Sequence, residues 1–128
     1  MTLVIDTSVW IDYFNVAAHS DLVEEALRDG RVYLPPIVAS ELTSGELSKV
    51  NLKKLSSFLR DLPLCVTPLD HWIRVGVLRQ KLRRLGESIS TPDAHVAQCA
   101  IDLDAPLLSR DSVFERIEKL SGLRRLTI

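Results

Sequence analysis

The sequence predicts an α/β fold in which a central, mostly parallel β-sheet is flanked by α-helices on both faces. Short apolar runs alternate with longer amphipathic segments along the chain, which is the order typical of β–α–β units. The 128 residues contain no internal repeat, linker or low-complexity segment, and their number suits one hydrophobic core. We therefore expect a single domain spanning residues 1–128.

The first half of the chain contains two predicted strands and four predicted helices. The strands are short apolar runs, the helices carry apolar residues at helical spacing, and glycine or proline marks several of their ends. A break is expected at Ala17–Ser20. In chain order the predicted elements are a strand at Leu3–Ile5, a helix at Thr7–Phe14, a helix from Ser20 or Asp21 to Gly30, a strand at Arg31–Leu34, a helix from Pro36 to near Gly45, and a helix at Leu47–Leu62.

The second half adds three strands and three helices by the same criteria. The strongest helix start is Ser90-Thr91-Pro92-Asp93, which combines a hydroxyl cap, a first-turn proline and an acid near the positive end of the helix dipole. The predicted elements are a strand at Leu64–Thr67, a helix capped by Asp70 and ending at Gly86, the helix that follows Ser90, a strand at Pro106–Ser109, a helix at Asp111–Leu120, and a closing strand at Leu123–Ile128.

The bulk composition is that of a globular protein with 46% hydrophobic and 26% charged residues. The formal net charge of −1 neither indicates nor excludes a nucleic-acid partner, since a local basic face can coexist with an acidic site. The N-terminus lacks the features of a signal peptide, and no apolar run approaches the ~20 residues that span a bilayer. We therefore expect a cytoplasmic protein with no membrane partner.

Two cysteines, Cys65 and Cys99, lie in apolar surroundings. Neither has a histidine or cysteine at metal-ligand spacing, so both are expected to be reduced core residues. His95 lies two residues beyond Asp93, which turns it to another side of the helix and favours a surface or interface role. The aromatic group Trp10, Tyr13 and Phe14 is expected to form core or dimer contacts.

Four acids stand out by position. Asp6 and Asp111 each follow a short apolar strand, and parallel strands would bring both to the same edge of the sheet. Asp93 occupies the first turn of an apolar helix, and Glu41 lies within another. Each has a plain structural explanation, because the aspartates can cap helices and Glu41 can face water.

Taken together, the four acids suggest a metal site. Several carboxylates in one pocket raise each other's pKa unless a cation offsets their charge. Hard oxygen ligands suit Mg²⁺ or Mn²⁺. One or two such ions would admit a phosphodiester and lower the pKa of a bound water for in-line attack.

Four segments resemble the motif blocks of PIN-domain ribonucleases, and most closely those of the small VapC-type toxins. The resemblance covers nearly the whole chain, in order and with family-like spacing. The segments are Val4–Ile11, Val38–Leu42, Pro92–Ala97 and Leu107–Asp111. The resemblance implies a PIN-like fold in which Asp6, Glu41, Asp93 and Asp111 are catalytic and bind the metal. It also assigns Ser8 a role in holding metal or water. The fourth acidic position is the most variable in that family.

The same resemblance implies an endoribonuclease that uses Mg²⁺ or Mn²⁺ to cut structured RNA such as tRNA or rRNA, leaving a 5′-phosphate and a 3′-hydroxyl. It further implies a homodimer and a cognate VapB-type antitoxin whose basic tail segment enters the acidic pocket. A guanidinium would be drawn to the same carboxylates, which agrees with that mode of inhibition.

Basic residues supply the candidate phosphate contacts. Arg110 lies beside a predicted ligand, and Arg79, Arg83 and Arg84 belong to a strongly basic helix. Such a helix can bind phosphates, although a charged face that merely contacts solvent is the alternative.

Other functions fit the sequence less well or differ only in role. Within the same fold, an RNA-processing nuclease without a toxin role and an inactive RNA-binding module remain open. A response-regulator receiver domain would need paired acids after the first strand, but Thr7 follows Asp6 in this chain. It would also need a lysine at the end of a late strand, where this chain has Arg110–Asp111. An aspartyl-nucleophile phosphatase would need an acid where Ser8 stands.

Overall fold

Four short parallel strands form the centre of the fold in the computed structural model, which describes residues 1–15 and 21–126. Helices connect the strands, as the alternating pattern predicted. The elements are β1 (Leu3–Ile5), α1 (Thr7–Asn15), α2 (Asp21–Arg28), β2 (Val32–Tyr33), α3 (Pro36–Thr43), α4 (Lys49–Arg60), α5 (Leu69–Arg84), α6 (Thr91–Asp102), β3 (Leu107–Leu108), α7 (Ser112–Leu120) and β4 (Arg125–Leu126).

The sheet has the strand order β2-β1-β3-β4 and every pairing is parallel. The side chains of β1 and β3 are completely buried. Because successive side chains of a strand point to opposite faces, this burial means that both faces of the sheet centre are covered. The predicted α/β class is confirmed.

Several predicted helix ends are confirmed by their local geometry. The Ser90 hydroxyl accepts a hydrogen bond from the Asp93 backbone N–H at 3.2 Å, which caps α6. Gly30 and Gly86 follow α2 and α5 with φ of +67° and +88°. Both lie in the left-handed region, where a residue other than glycine would be strained.

Two predicted details are wrong. Residues 64–67 form no strand but a single bridge between Leu34 and Leu64. Pro63 and Pro68 flank this segment and cannot donate to a ladder, and Val66 is exposed. The cap of α5 is also not Asp70, because the helix begins earlier and its N-cap position is Pro68. Asp70 lies in the first turn instead.

The predicted break at Ala17–Ser20 and the last two residues of the predicted closing strand lie outside the described residues. Of the described part of that closing strand, Arg125–Leu126 form β4, whereas Leu123 and Arg124 are not in a strand. Within the described ranges, no helix is long and apolar enough to cross a membrane.

The core behaves largely as the sequence predicted. Trp10 is fully buried and packs against Tyr13, Phe14 and Phe58, with ring centroids 5.6–5.8 Å from its own. Phe14 itself is half exposed. Cys65 and Cys99 are buried and reduced, as expected. Trp10 is therefore a core residue, while Phe14 reaches the surface.

Candidate active site

Asp6 terminates the central strand β1 and is only 7% exposed. Three groups donate hydrogen bonds to its carboxylate. The Thr7 backbone N–H donates to Oδ1 at 2.8 Å, and the hydroxyls of Ser8 and Ser109 donate to Oδ2 at 2.8 and 3.0 Å. Donors of this kind stabilise the ionised carboxylate and fix its orientation.

Ser109 connects Asp6 to a second acid. Its hydroxyl donates to Asp6 and accepts the backbone N–H of Asp111 at 3.0 Å. The sheet register explains this position, because Ile5 pairs with Leu108 and the next residues on the two strands are Asp6 and Ser109. The side chain of Asp111 caps α7 by accepting the Val113 N–H at 3.0 Å. Asp6 and Asp111 therefore share one edge of the sheet.

Glu41 reaches the same edge from α3. Its Oε1 accepts a hydrogen bond from the Thr7 hydroxyl at 2.7 Å. Thr7 also donates its backbone N–H to Asp6. One residue thus holds two of the acids, and Glu41 is tied to the site although its side chain is exposed.

Asp93 lies in the first turn of α6, which packs against β1 and α3. Burial is the main cause that raises the pKa of Asp93 above its ordinary value, and the negative charges of Asp111, Asp6 and Glu41 raise it further. A hydrogen bond with Ser90 acts in the opposite direction. Asp93 is therefore close enough to the other three acids to feel their charge.

This group of side chains can hold a hard cation. Carboxylate oxygens are the ligands that Mg²⁺ and Mn²⁺ prefer, and a positive ion would relieve the repulsion around Asp93. Among the described residues, no three of the four acids place oxygens all within 4.8 Å of one another. Carboxylates at such separations suit an ion that keeps several water ligands, as Mg²⁺ usually does.

A shallow cleft of about 430 Å³ adjoins these acids. Ser8, Ile11, Asp12, Arg110 and Asp111 line it. The guanidinium of Arg110 forms an ion pair with the Asp12 carboxylate, and both side chains are partly exposed. The cleft therefore presents a cation directly beside the acidic site.

The basic residues of α5 are placed differently. Arg79 donates its Nε–H to the Ile89 carbonyl at 2.8 Å, which braces the loop before α6. Arg83 and Arg84 are exposed in the last turn of α5, where the chain turns toward the first turn of α6 and Asp93. Arg79 thus has a structural contact, whereas Arg83 and Arg84 face solvent.

Two residues of this region were not predicted from the sequence, and a third was misplaced. Ser109 was not singled out, although it directly follows a predicted strand beside that of Asp6. Asp12 lies four residues after Ser8 on α1, a spacing that places both on one helix face.

His95 is completely buried, which contradicts the expected surface or interface role, because α6 is enclosed on that side by α5. The expectation that Cys99 has no histidine at ligand spacing is also wrong, since His95 lies one helical turn before it.

A comparison with known protein families shows the family of this chain. The sequence profile of the PIN domain family matches residues 3–120. The chain belongs to the PIN domain family. Ribonuclease VapC11 of Mycobacterium tuberculosis is 30% identical to this PIN domain over 132 aligned positions, which cover 95% of this chain and 96% of that protein. A VapC ribonuclease of Mycobacterium bovis matches over the same shares of both chains, also at 30% identity.

Solved structures have the same fold as this PIN domain. A chain of the DNA-bound VapBC complex of Salmonella typhimurium superposes with a TM-score of 0.82 at 18% identity, covering 99% of this chain and 98% of that one. A chain of VapBC2 from Rickettsia felis, bound to a promoter DNA fragment, gives a TM-score of 0.79 at 21% identity over 100% and 99% of the two chains. The predicted PIN-like fold is confirmed.

Proposed function

We propose that this PIN domain is an endoribonuclease that depends on Mg²⁺ or Mn²⁺ and acts as the toxin of a VapBC-type pair. The observation that carries the proposal is the position of Asp6, held by three hydrogen-bond donors at the end of the central strand and grouped with Glu41, Asp93 and Asp111. The relatives named as VapC ribonucleases support the same activity.

The four acids would hold the divalent cation, and Ser8 would help to position a ligand or water through its hydrogen bond with Asp6. When bound, the cation activates water for attack on a phosphodiester and offsets the negative charge that develops. The chain contributes preorganisation: Ser109 and Thr7 fix Asp6 before substrate arrives, and Thr7 also fixes Glu41.

Substrate RNA would approach across the cleft beside Asp111. Arg110 is half exposed there, and its ion pair with Asp12 leaves its guanidinium at the rim of the site. A phosphate can compete with a solvent-exposed carboxylate for such a cation, because exposed ion pairs contribute little free energy. Arg83 and Arg84 are second candidates for contacts with more distant phosphates, and Arg79 contributes less because its Nε–H is engaged.

An apolar groove of about 650 Å³ between α1, α3 and α4 supports an antitoxin partner. Its apolar lining includes Ile11, Phe14, Leu42, Leu55 and Phe58, and Glu41 borders it. An amphipathic segment seated in the groove would bring a following basic side chain to Glu41 and the other acids. A guanidinium there would compete with the metal for the carboxylates.

A row of exposed aliphatic side chains supports the homodimer. Leu69, Ile73 and Val77 follow one another at four-residue spacing on α5 and are 74%, 52% and 56% exposed. Leu64 and Val66, which precede α5 in the chain, are also exposed, at 56% and 82%. Contiguous apolar surface of this kind marks an interaction site, and a second copy of the chain would bury it.

The activity can be tested by brief induction of the wild-type chain in cells, followed by mapping of RNA 5′ ends. We expect growth arrest and new 5′-phosphate ends at a restricted set of positions, and neither with Asp6→Asn. Coexpression of a small protein encoded beside this gene should restore growth. Cleavage without growth arrest would favour an RNA-processing nuclease, and absence of cleavage would contradict the proposal.

A further inference from the structure

Helix α4 carries an unbalanced positive charge. Its 12 residues include basic side chains but no acid, in a chain whose formal net charge is −1. The basic residues are all exposed, and they are Lys49, Lys53, Lys54 and Arg60. Positive charge concentrated on one element of a nearly neutral chain is typical of a surface that binds a polyanion.

The basic side chains share one side of the helix. At 3.6 residues per turn they fall within an arc of about 140°, which also contains Val50 and Ser57. Leu55 and Leu59, which contact the core, lie on the opposite side. The exposed side therefore forms one continuous surface, the α4 basic face, which consists of Lys49, Lys53, Lys54, Ser57 and Arg60.

The basic residues of this face have no partner within the described part of the chain. Elsewhere on the surface, Arg74 pairs with Asp102 and Arg116 pairs with Glu87. In the described ranges, no ion pair or side-chain hydrogen bond engages the basic residues of α4, not even with Asp61, which follows the helix. Like charges one helical turn apart repel each other. A bound anion would therefore stabilise the α4 basic face.

A path of adjoining depressions connects the α4 basic face with the acids. The cleft beside Arg110 and the groove that Glu41 borders have Ile11 as a common lining residue. The groove in turn shares Lys54 with a shallow depression of about 550 Å³ on α4. That depression is lined by Val50, Lys53, Lys54 and Ser57. The path thus leads from one basic residue, past the acids, to a second group of basic residues.

An extended polyanion suits this path better than a compact ligand. RNA carries a negative charge at every phosphate, and lysines neutralise backbone phosphates without reading the base sequence. Ser57 adds a hydroxyl that can donate to a phosphate oxygen. Contacts with Arg110 at one end and with Lys53 and Lys54 at the other would hold the backbone on both sides of a phosphodiester at the acids.

We propose that the α4 basic face binds phosphates of the substrate RNA several nucleotides away from the cut. The inference rests on the proposed nuclease function and deepens it, because it requires a substrate that extends beyond the acids and over α4. Lys53 and Lys54 position the RNA and take no part in the reaction, since their helix carries none of the four acids.

Binding of a fluorescently labelled RNA stem-loop, followed by anisotropy, provides the test. The full-length chain carries Asp6→Asn and the buffer contains EDTA, so that the probe is not cut. We expect Lys53→Ala/Lys54→Ala to bind roughly tenfold more weakly and to lower the slope of log Kd against log salt concentration by about 1.5. Lys53→Arg/Lys54→Arg keeps both charges and should bind like the parent chain.

Arg28→Ala/Lys119→Ala is the matched control, because it removes the same net charge. Arg28 and Lys119 are exposed in the last turns of α2 and α7, which lead into the beginnings of β2 and β4. Both therefore lie toward the edge of the sheet opposite the acids, and this variant should bind RNA like the parent chain. Equal weakening by the two alanine variants would show an effect of net charge alone and would overturn the proposal.

Two further results would also overturn it. One is a failure of the parent chain to bind the RNA, and the other is undiminished binding by Lys53→Ala/Lys54→Ala, which would leave the α4 basic face to an acidic protein partner. Cleavage in Mn²⁺ is assayed separately with the unmodified Asp6. Cleavage combined with undiminished binding would refute the contact on α4 alone, whereas binding that depends on Lys53 and Lys54 without cleavage would refute the nuclease proposal alone.

Discussion

At the scale of single residues, Ser109 is the most consequential residue of the site that is not itself an acid. It donates to Asp6 and accepts the Asp111 N–H, so it sets the separation of two proposed ligands. We predict that Ser109→Ala lowers the rate of RNA cleavage by about 10- to 100-fold, as is usual when a ligand loses its supporting hydrogen bond.

The measurement is a cleavage assay at several Mn²⁺ concentrations. If Ser109 positions the ligands, excess Mn²⁺ should recover part of the lost rate, which a general folding defect would not allow. Ser112→Ala is the matched control, because Ser112 is an exposed serine three residues away. A wild-type rate in Ser109→Ala would refute the positioning role.

Asp93 gives a prediction about pH and stability. Burial and the neighbouring negative charges raise its pKa above the ordinary 3.8, so the folded chain keeps this proton to higher pH than the unfolded chain. The free energy of unfolding therefore falls as pH rises from 3.8 through the raised pKa, and the full penalty is present at pH 7.

Removal of that charge should consequently stabilise the metal-free protein. In EDTA at pH 7, Asp93→Asn should melt at a higher temperature than wild type, and the difference should shrink as the pH is lowered toward 3.8. Thermal unfolding followed by circular dichroism across this range provides the measurement. A lower melting temperature for Asp93→Asn at pH 7 would contradict the view that repulsion and burial dominate at this residue.

At the scale of elements, α5 carries two apolar faces rather than one. The first face consists of Val75, Leu78 and Leu82, which are buried against the core. The second face consists of Leu69, Ile73 and Val77 and remains exposed in the single chain. A helix that is apolar on two sides is expected to have a partner on each.

We predict that Ile73→Glu converts the proposed homodimer to a monomer without unfolding the chain, because the charge would be buried in the interface but contacts water in the isolated chain. Light scattering after size-exclusion chromatography measures the mass. Val50→Glu is the control, since Val50 is also an exposed aliphatic residue and lies on α4. A monomeric wild-type chain, or a dimeric Ile73→Glu variant, would show that this surface is not the dimer interface.

The elements also show where prediction from sequence succeeds and where it fails. All seven helices of the described residues were predicted, because their ends have local causes such as the Ser90 cap and the turns at Gly30 and Gly86. The segment at Leu64–Thr67 has the composition of a strand but only one bridging partner. Strand formation depends on a neighbour elsewhere in the chain, which composition alone does not supply.

At the scale of the whole molecule, the fold class and the common edge of the acids could be predicted, because strands that alternate with helices run parallel and end on the same side. Asp6 and Asp111 follow directly from that rule. Ser109 could not be predicted as their link, because its contact requires the register Ile5–Leu108. The pairing of His71 with His95 likewise depends on how α5 packs on α6.

The acids at this edge of the sheet are proposed to cut RNA with a divalent cation. The most direct test is the cleavage of purified RNA by the purified chain with Mn²⁺ or EDTA, with Asp6→Asn as the variant. Asp29→Asn is the control, since Asp29 is an exposed aspartate that precedes β2 and so lies toward the opposite edge. We predict cleavage in Mn²⁺ that leaves 5′-phosphate ends, no cleavage in EDTA, a rate at least about a hundredfold lower for Asp6→Asn, and a wild-type rate for Asp29→Asn. Cleavage at the wild-type rate by Asp6→Asn, or undiminished cleavage in EDTA, would contradict the claim.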